Sequence, residues 1–164
     1  MQKAVLKICD QNSGKLINEF DNSTFEKCNV EEKVGHIPLL DCIIKVDDGD
    51  IKITRGQDVS IVVTIPDAKK HTLFKGSIDF VQSNFINVGK TKSVRTHIQA
   101  RGSAKILMDS EMKTHGSSKL DDLIKTILGD KFTLDTDLPL LDLKYTINAK
   151  SKFALLQLLG ISLD

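Results

Sequence analysis

Residues 117–143 read SSKLDDLIKTILGDKFTLDTDLPLLDL, and the hydrophobic period changes within them. Leu120, Leu123, Ile124, Ile127 and Leu128 recur at helical spacing and share one stripe. Ser117 or Ser118 suits an N-cap, Asp121 and Asp122 favour the positive end of the first turn, and Gly129 follows as a left-handed C′ residue. These signals predict a helix over Ser118–Leu128. Phe132, Leu134, Thr136, Leu138 and Leu140 then alternate, which is the pattern of a half-buried strand. Outward from this switch almost every segment reads as strand, so the chain is predicted to be mainly β with one short helix.

Lys3–Ile8 and Leu16–Phe20 flank Asn12-Ser13-Gly14 as a hairpin. Phe25–Val34 is polar and carries no clear period. Leu39–Val46 reads as a strand closed by the turn cluster Asp47-Asp48-Gly49-Asp50, and Ile51 and Ile53 lead to a second turn at Arg55-Gly56-Gln57. Val59–Ile65 is almost continuously apolar, as a strand buried on both faces would be, and Pro66-Asp67 ends it. Gly76–Phe80 and Phe85–Val88 are further strands. Val94, Thr96, Ile98 and Ala100 then alternate with Arg95, His97, Gln99 and Arg101, and Ala104, Ile106 and Met108 resume the alternation after Gly102. Leu141–Ile147 is a strand, and Phe153–Leu163 a final apolar segment. Residues 1–34 stand apart as an N-terminal hairpin or appendage, leaving 35–164 as the main domain.

Composition narrows the function classes. The 164 residues carry a formal net charge of +1, 40% hydrophobic and 27% charged residues, which is ordinary for a globular chain and gives no general attraction to nucleic acid. Aromatic content of 5% with no Trp argues against base-stacking or sugar-binding platforms. Cys9, Cys28 and Cys42 are odd in number, and residues 1–10 contain no apolar leader. Free thiols in a cytoplasmic protein follow as the expectation. The sequon Asn22-Ser23-Thr24 pulls the other way, but so short a pattern arises readily by chance.

No residue set forms a catalytic or metal-binding motif. Val88-Gly89-Lys90-Thr91 ends like a phosphate-binding loop, but Asn84 stands where that loop needs glycine. The four histidines and three cysteines lack metal-ligand spacing, and Asp47, Asp48 and Asp50 lack the ligand order of a calcium loop. Ser103 lacks the context of a nucleophile elbow. No catalytic residue, cofactor or metal is therefore expected. The remaining candidate is basic: Lys90, Lys92, Arg95, Arg101 and Lys105 occur with no acidic residue between them, and alternation puts Arg95, His97, Arg101 and Lys105 on one strand face. Such a face suits an anionic surface, but a solvated strand whose charges discourage edge pairing is the favoured expectation.

Three stretches together resemble the LEA-2 (water stress and hypersensitive response, WHy) domain. They are Val62-Val63-Thr64-Ile65-Pro66-Asp67, where that family usually shows Asn-Pro-Asn; Thr96 through Ile106, with its Ala-Arg-Gly-Ser turn; and Leu120–Leu128 leading to Leu138-Pro139-Leu140-Leu141 and Phe153-Ala154-Leu155. Ile65 and Asp67 depart from the family's two asparagines, and residues 1–34 have no counterpart. The resemblance implies an immunoglobulin/fibronectin-like β-sandwich of about seven strands, with a non-enzymatic role in stress and desiccation protection through contact with membranes, lipids or client proteins. Phe25-Glu26-Lys27-Cys28, Cys42 and Ile53–Val59 are also similar to the MD-2-related lipid-recognition domain, which implies a lipid-carrying sandwich, although that family's later cysteines are missing. A structural adaptor using residues 1–34 as its contact is the third expectation.

Overall fold

The computed structural model describes residues 3–33, 36–47, 51–64, 69–88, 91–108, 110–132 and 141–159. The chain is mainly β, as expected, and forms two compact units, Met1–Ser103 and Ala104–Asp164. The expected boundary after residue 34 does not coincide with this division.

In the first unit β1 (Lys3–Cys9), β2 (Leu16–Asp21), β3 (Phe25–Glu31), β4 (Leu39–Asp47), β5 (Asp58–Thr64), β6 (Lys70–Val88) and β7 (Thr91–Gly102) make one antiparallel sheet. Its order is β2-β1-β5-β6-β7-β4-β3. Residues before position 34 thus supply both edge strands and the strand beside one of them. The edges are consecutive in sequence, joined only by the 3-10 turn Asn22–Thr24. Laid flat, seven strands would separate the outer two by roughly 29 Å. The four steps from Asp21 to Phe25 can span roughly 14 Å at most. The sheet therefore has to curl, and the turn touches β1, β2 and β4 together. Asp21 fixes the turn by accepting from the Ser23 N–H at 3.0 Å and the Ser23 hydroxyl at 2.6 Å. The Asn22 amide oxygen accepts from the Ala4 N–H at 2.6 Å.

Curling gives the sheet its own core. Leu6, Ile8, Phe20, Leu40, Cys42, Ile44, Val59, Ile61, Phe74, Ile78, Ile98 and Ala100 form one buried cluster drawn from six strands of the same sheet. The expected arrangement was two sheets packed face to face; the seven strands instead close over one interior. This explains β5, whose apolar run suggested burial on both faces. Val59 and Ile61 face the core, whereas Val62 and Val63 are only half-buried. Expected separate strands at Gly76–Phe80 and Phe85–Val88 are one long β6, its register shifting at Ile78/Phe80. Gly14, at φ 66°, turns the β1–β2 hairpin as anticipated, with the Asp10 carboxylate accepting from the Ser13 N–H at 2.8 Å.

In the second unit α1 (Lys105–Met108) leads to a hairpin of β8 (Met112–Lys119) and β9 (Asp142–Ala149), with α2 (Leu120–Leu128) and α3 (Lys152–Leu158). The predicted helix is present, and Leu123, Ile124, Ile127 and Leu128 are buried. Its N-cap is Lys119, without a side-chain cap; Ser117 and Ser118 belong to β8. Ala104–Met108 is not the expected strand. One helical turn, with the Leu107 N–H donating to Ala104 at 2.9 Å, buries Leu107 and leaves Ile106 and Met108 exposed. Phe153–Leu158 is helical, capped by the Ser151 hydroxyl accepting from the Ala154 N–H at 3.0 Å. The expected strand at 132–138, the turn residues 48–50 and the segment 65–68 lie outside the described residues, Phe132 alone excepted.

Gly76 of β6 pairs with Gly102 of β7. A Cβ on Gly76 would lie 2.1 Å from the Arg101 carbonyl oxygen and 2.7 Å from its carbon. Backbone cannot swing aside as a flexible side chain can. Gly76→Ala should lower stability by about 2 kcal/mol or more, read as a shift of the urea midpoint. An unchanged midpoint would show that the two strands are less tightly apposed than this.

Candidate functional site

Alternation on β7 is as anticipated. Val94, Thr96, Ile98 and Ala100 are buried, and Arg95, His97, Gln99 and Arg101 face outward. What the sequence could not supply is the company these residues keep. Cross-strand register sets Asp41 opposite Gln99 and Ile43 opposite His97, with Glu26 on the adjoining edge strand. Arg95 Nε then meets Glu26 Oε2 at 2.5 Å, and Arg101 Nε meets Asp79 Oδ2 at 2.5 Å. Both arginines of the basic run thus carry a carboxylate partner. Lys92 is on β7, Lys105 lies on α1 in the second unit, and Lys90 is outside the described residues. The run is therefore not one cationic strand face; Lys105 leaves it because its segment is helical.

The centre of the outward network is Asp41 on β4. Its carboxylate receives Lys27 Nζ from β3 and His97 Nε2 from β7 at 2.5 Å, while Gln99 Nε2 lies 3.5 Å away. The His97 ring stands edge-on to Phe80 of β6, with centroids 5.6 Å apart and planes at 74°. Four neighbouring strands thus place side chains on one another across the sheet surface. Hydrogen bonds from Lys27, then His97, hold the Asp41 carboxyl down at about 2, against a smaller opposing push from burial. Beside it is a concavity of about 440 Å³ lined by residues that include Glu31, Asp41, Asp79 and Arg101.

The Asp41 carboxyl, held at about 2, stays ionised near neutrality and is the acceptor at the centre of the cluster. Its lone pairs are already engaged by Lys27 and His97, so the cluster ties edge strand β3 and its neighbour β4 to β7. Among the described residues no group of three or more His, Cys, Asp or Glu side chains could hold a metal ion, and no helix is long and apolar enough to cross a membrane. Sequence reading passed over Asp41, Glu26 and Asp79. Asp41 was already outward by the alternation of Leu39–Val46, but its partners follow only from register.

Because the folded carboxyl of Asp41 sits at about 2, below roughly 3.9 in an unfolded chain, the unfolded state binds more protons between those values. Stability from this group is therefore present above about pH 4 and is lost as pH falls towards 2. Asp41→Asn should cost on the order of 1 kcal/mol at pH 7, allowing for partial exposure. The difference from the parent should shrink below pH 4. Urea titrations at several pH values check this; a pH-independent difference would assign the loss to shape instead of charge.

Comparison with known proteins rests on fold alone. No family model matches the chain, and no curated protein matches it. Among solved structures it is similar to a chain of the Francisella PdpA–VgrG complex in its half-lidded form, with a TM-score of 0.58 at 17% identity. The likeness covers 98% of this chain and 28% of that one.

Proposed function

We propose that the chain is a non-enzymatic structural module of a larger protein assembly, contacting a partner protein through the open edge of β6. The observation that carries this reading is the pairing of β6. Its first part, Lys70–Ser77, lies against β5, whereas its continuation to Val88 pairs with β7 on one side only among the described residues. From Phe80 to Val88 no residue is charged, and the register shift at Ile78/Phe80 lies before this stretch. Natural sheets guard a long open edge with lysine, proline or bulges. An unguarded one is suited to accept a strand from a partner.

Phe85 adds a second support. It pairs with Val94, and so continues the interior phase of Val81 and Ser83, yet it is 79% exposed. The exposure is confined to the β6 side, since Val94 across the ladder is buried. Phe85 could anchor a partner's apolar side chain beside the backbone pairing. The fold likeness to a chain taken from a protein complex agrees with an assembly role. The stress-protective and membrane-contacting role implied by the LEA-2 resemblance stands as a second reading. Its support is the sequence likeness, and the carboxylates on Arg95 and Arg101 leave less cationic surface for it.

Tagged protein isolated from cells that make it, cross-linked and analysed by mass spectrometry, should yield one protein partner in fixed stoichiometry, with cross-links flanking residues 80–88. Phe85→Asp and Asn84→Lys should each lower retention of that partner roughly tenfold, equivalent to about 1.4 kcal/mol, with an unchanged melting temperature. A chain that runs free in native extract, or retains its partner through both changes, would overturn the reading. Salt-sensitive flotation with anionic liposomes in its place would favour the membrane role.

A further inference from the structure

Cys28 and Cys42 face each other directly across the β3–β4 ladder. Directly opposed residues in an antiparallel pair keep their Cα atoms roughly 4.5–5.5 Å apart. A disulfide spans roughly 4.4–6.8 Å between Cα atoms, so this register needs no backbone movement to be bridged. Being directly opposed, the two side chains project from the same face of the ladder. Their surroundings differ sharply: Cys28 is exposed on edge strand β3, and Cys42 is fully enclosed in the core. Cys9, by contrast, stands opposite Leu16 and Asp58 and has no cysteine across either ladder.

This asymmetry separates the chemistry of the two sulfurs. The hydrogen bond from Cys42 lowers the Cys28 thiol below its ordinary value, against a smaller opposing effect of burial. The same contact, followed by burial, pushes Cys42 up. The exposed sulfur is therefore the better nucleophile, and the enclosed one is shielded from solution but within reach of its neighbour.

We propose that Cys28 and Cys42 form a thiol–disulfide exchange site for low-molecular-weight disulfides of the glutathione class, with Cys28 attacking and Cys42 resolving. The Cys28 thiolate attacks one sulfur of glutathione disulfide; that S–S bond breaks, one glutathione thiolate leaves, and Cys28 carries a mixed disulfide. The hydrogen bond and charge of Cys28 are then gone, which leaves burial as the main influence holding Cys42 protonated. Cys42 gives up its proton, attacks the Cys28 sulfur and expels the second glutathione thiolate. Two protein thiols are oxidised, one disulfide is reduced to two thiols, and the two protons end on glutathione. The product closes a loop of about 15 residues and fastens β3 to β4. It lies on the face of the ladder opposite Lys27 and Asp41, so the same edge strand is held from both sides.

The folded chain, equilibrated in glutathione buffers from fully reduced to fully oxidised, acid-quenched, alkylated and peptide-mapped, tests this. The expected product is lighter by two hydrogen atoms, joins Cys28 to Cys42, and leaves Cys9 alkylated. Cys28→Ser should leave Cys42 unmodified, and Cys42→Ala should stop at the mixed disulfide on Cys28. Circular dichroism of each variant verifies folding, and the wild-type map decides the matter even if Cys42→Ala unfolds. A wild-type protein that accumulates the mixed disulfide with Cys42 free, fails to react at Cys28, or links Cys9 instead would overturn the assignment.

Discussion

The two edge strands of a seven-stranded sheet are neighbours in sequence with three residues between them, and most of the first unit's architecture follows from that connection. A link this short cannot cross the width of a flat sheet. The sheet must bend until its edges are near each other, and the bend makes one face an interior. The interior faces of β1, β2, β4, β5, β6 and β7 then form one cluster, every member of which comes from this sheet. Asp21 and Asn22 are consequential beyond their size, since their side chains fix the turn and tie it to β1.

Where strands must lie side by side on a bent surface, their outward side chains are brought together as well. The network around Asp41 is the result: Lys27, His97 and Gln99 come from strands either side of it, and each adds a polar tie to the backbone ladder. Such partly exposed pairs contribute modestly one at a time. Their placement matters more than their strength, because they bind edge strand β3, which has no fully buried residue. Behind the same strand, Cys28 and Cys42 occupy the inner side of the ladder. Both faces of one weakly buried strand thus carry side-chain chemistry that fastens it.

β6 presents the contrasting situation. Its pairing with β7 continues beyond the point where β5 leaves it, so one side of β6 has no neighbouring strand there among the described residues. An interior-phase residue such as Phe85 becomes exposed there with no change in sequence pattern. The same alternation that buries Ile98 cannot bury Phe85, since burial depends on what lies above the face and not on the period.

Sequence determined the local grammar of this protein. The period-3.6 stripe of α2, the alternation of β7, the hairpin at Asn12-Ser13-Gly14 and the predominance of strands were legible, because each depends on interactions within a few residues. Local pattern misread α1, where one helical turn and one strand turn a short apolar run in different directions, and it left Phe25–Glu31 unassigned because an edge strand buries too little to impose a period. The family resemblance, and not local pattern, implied two packed sheets. Tertiary structure alone decided that the seven strands share one sheet, which carboxylates stand beside Arg95 and Arg101, that Asp41 sits at the centre of a polar cluster, and that Cys28 opposes Cys42. The reason is physical: hydrophobic period reports which side of an element is buried, whereas strand order and register, set by pairing between residues distant in sequence, decide what each side meets.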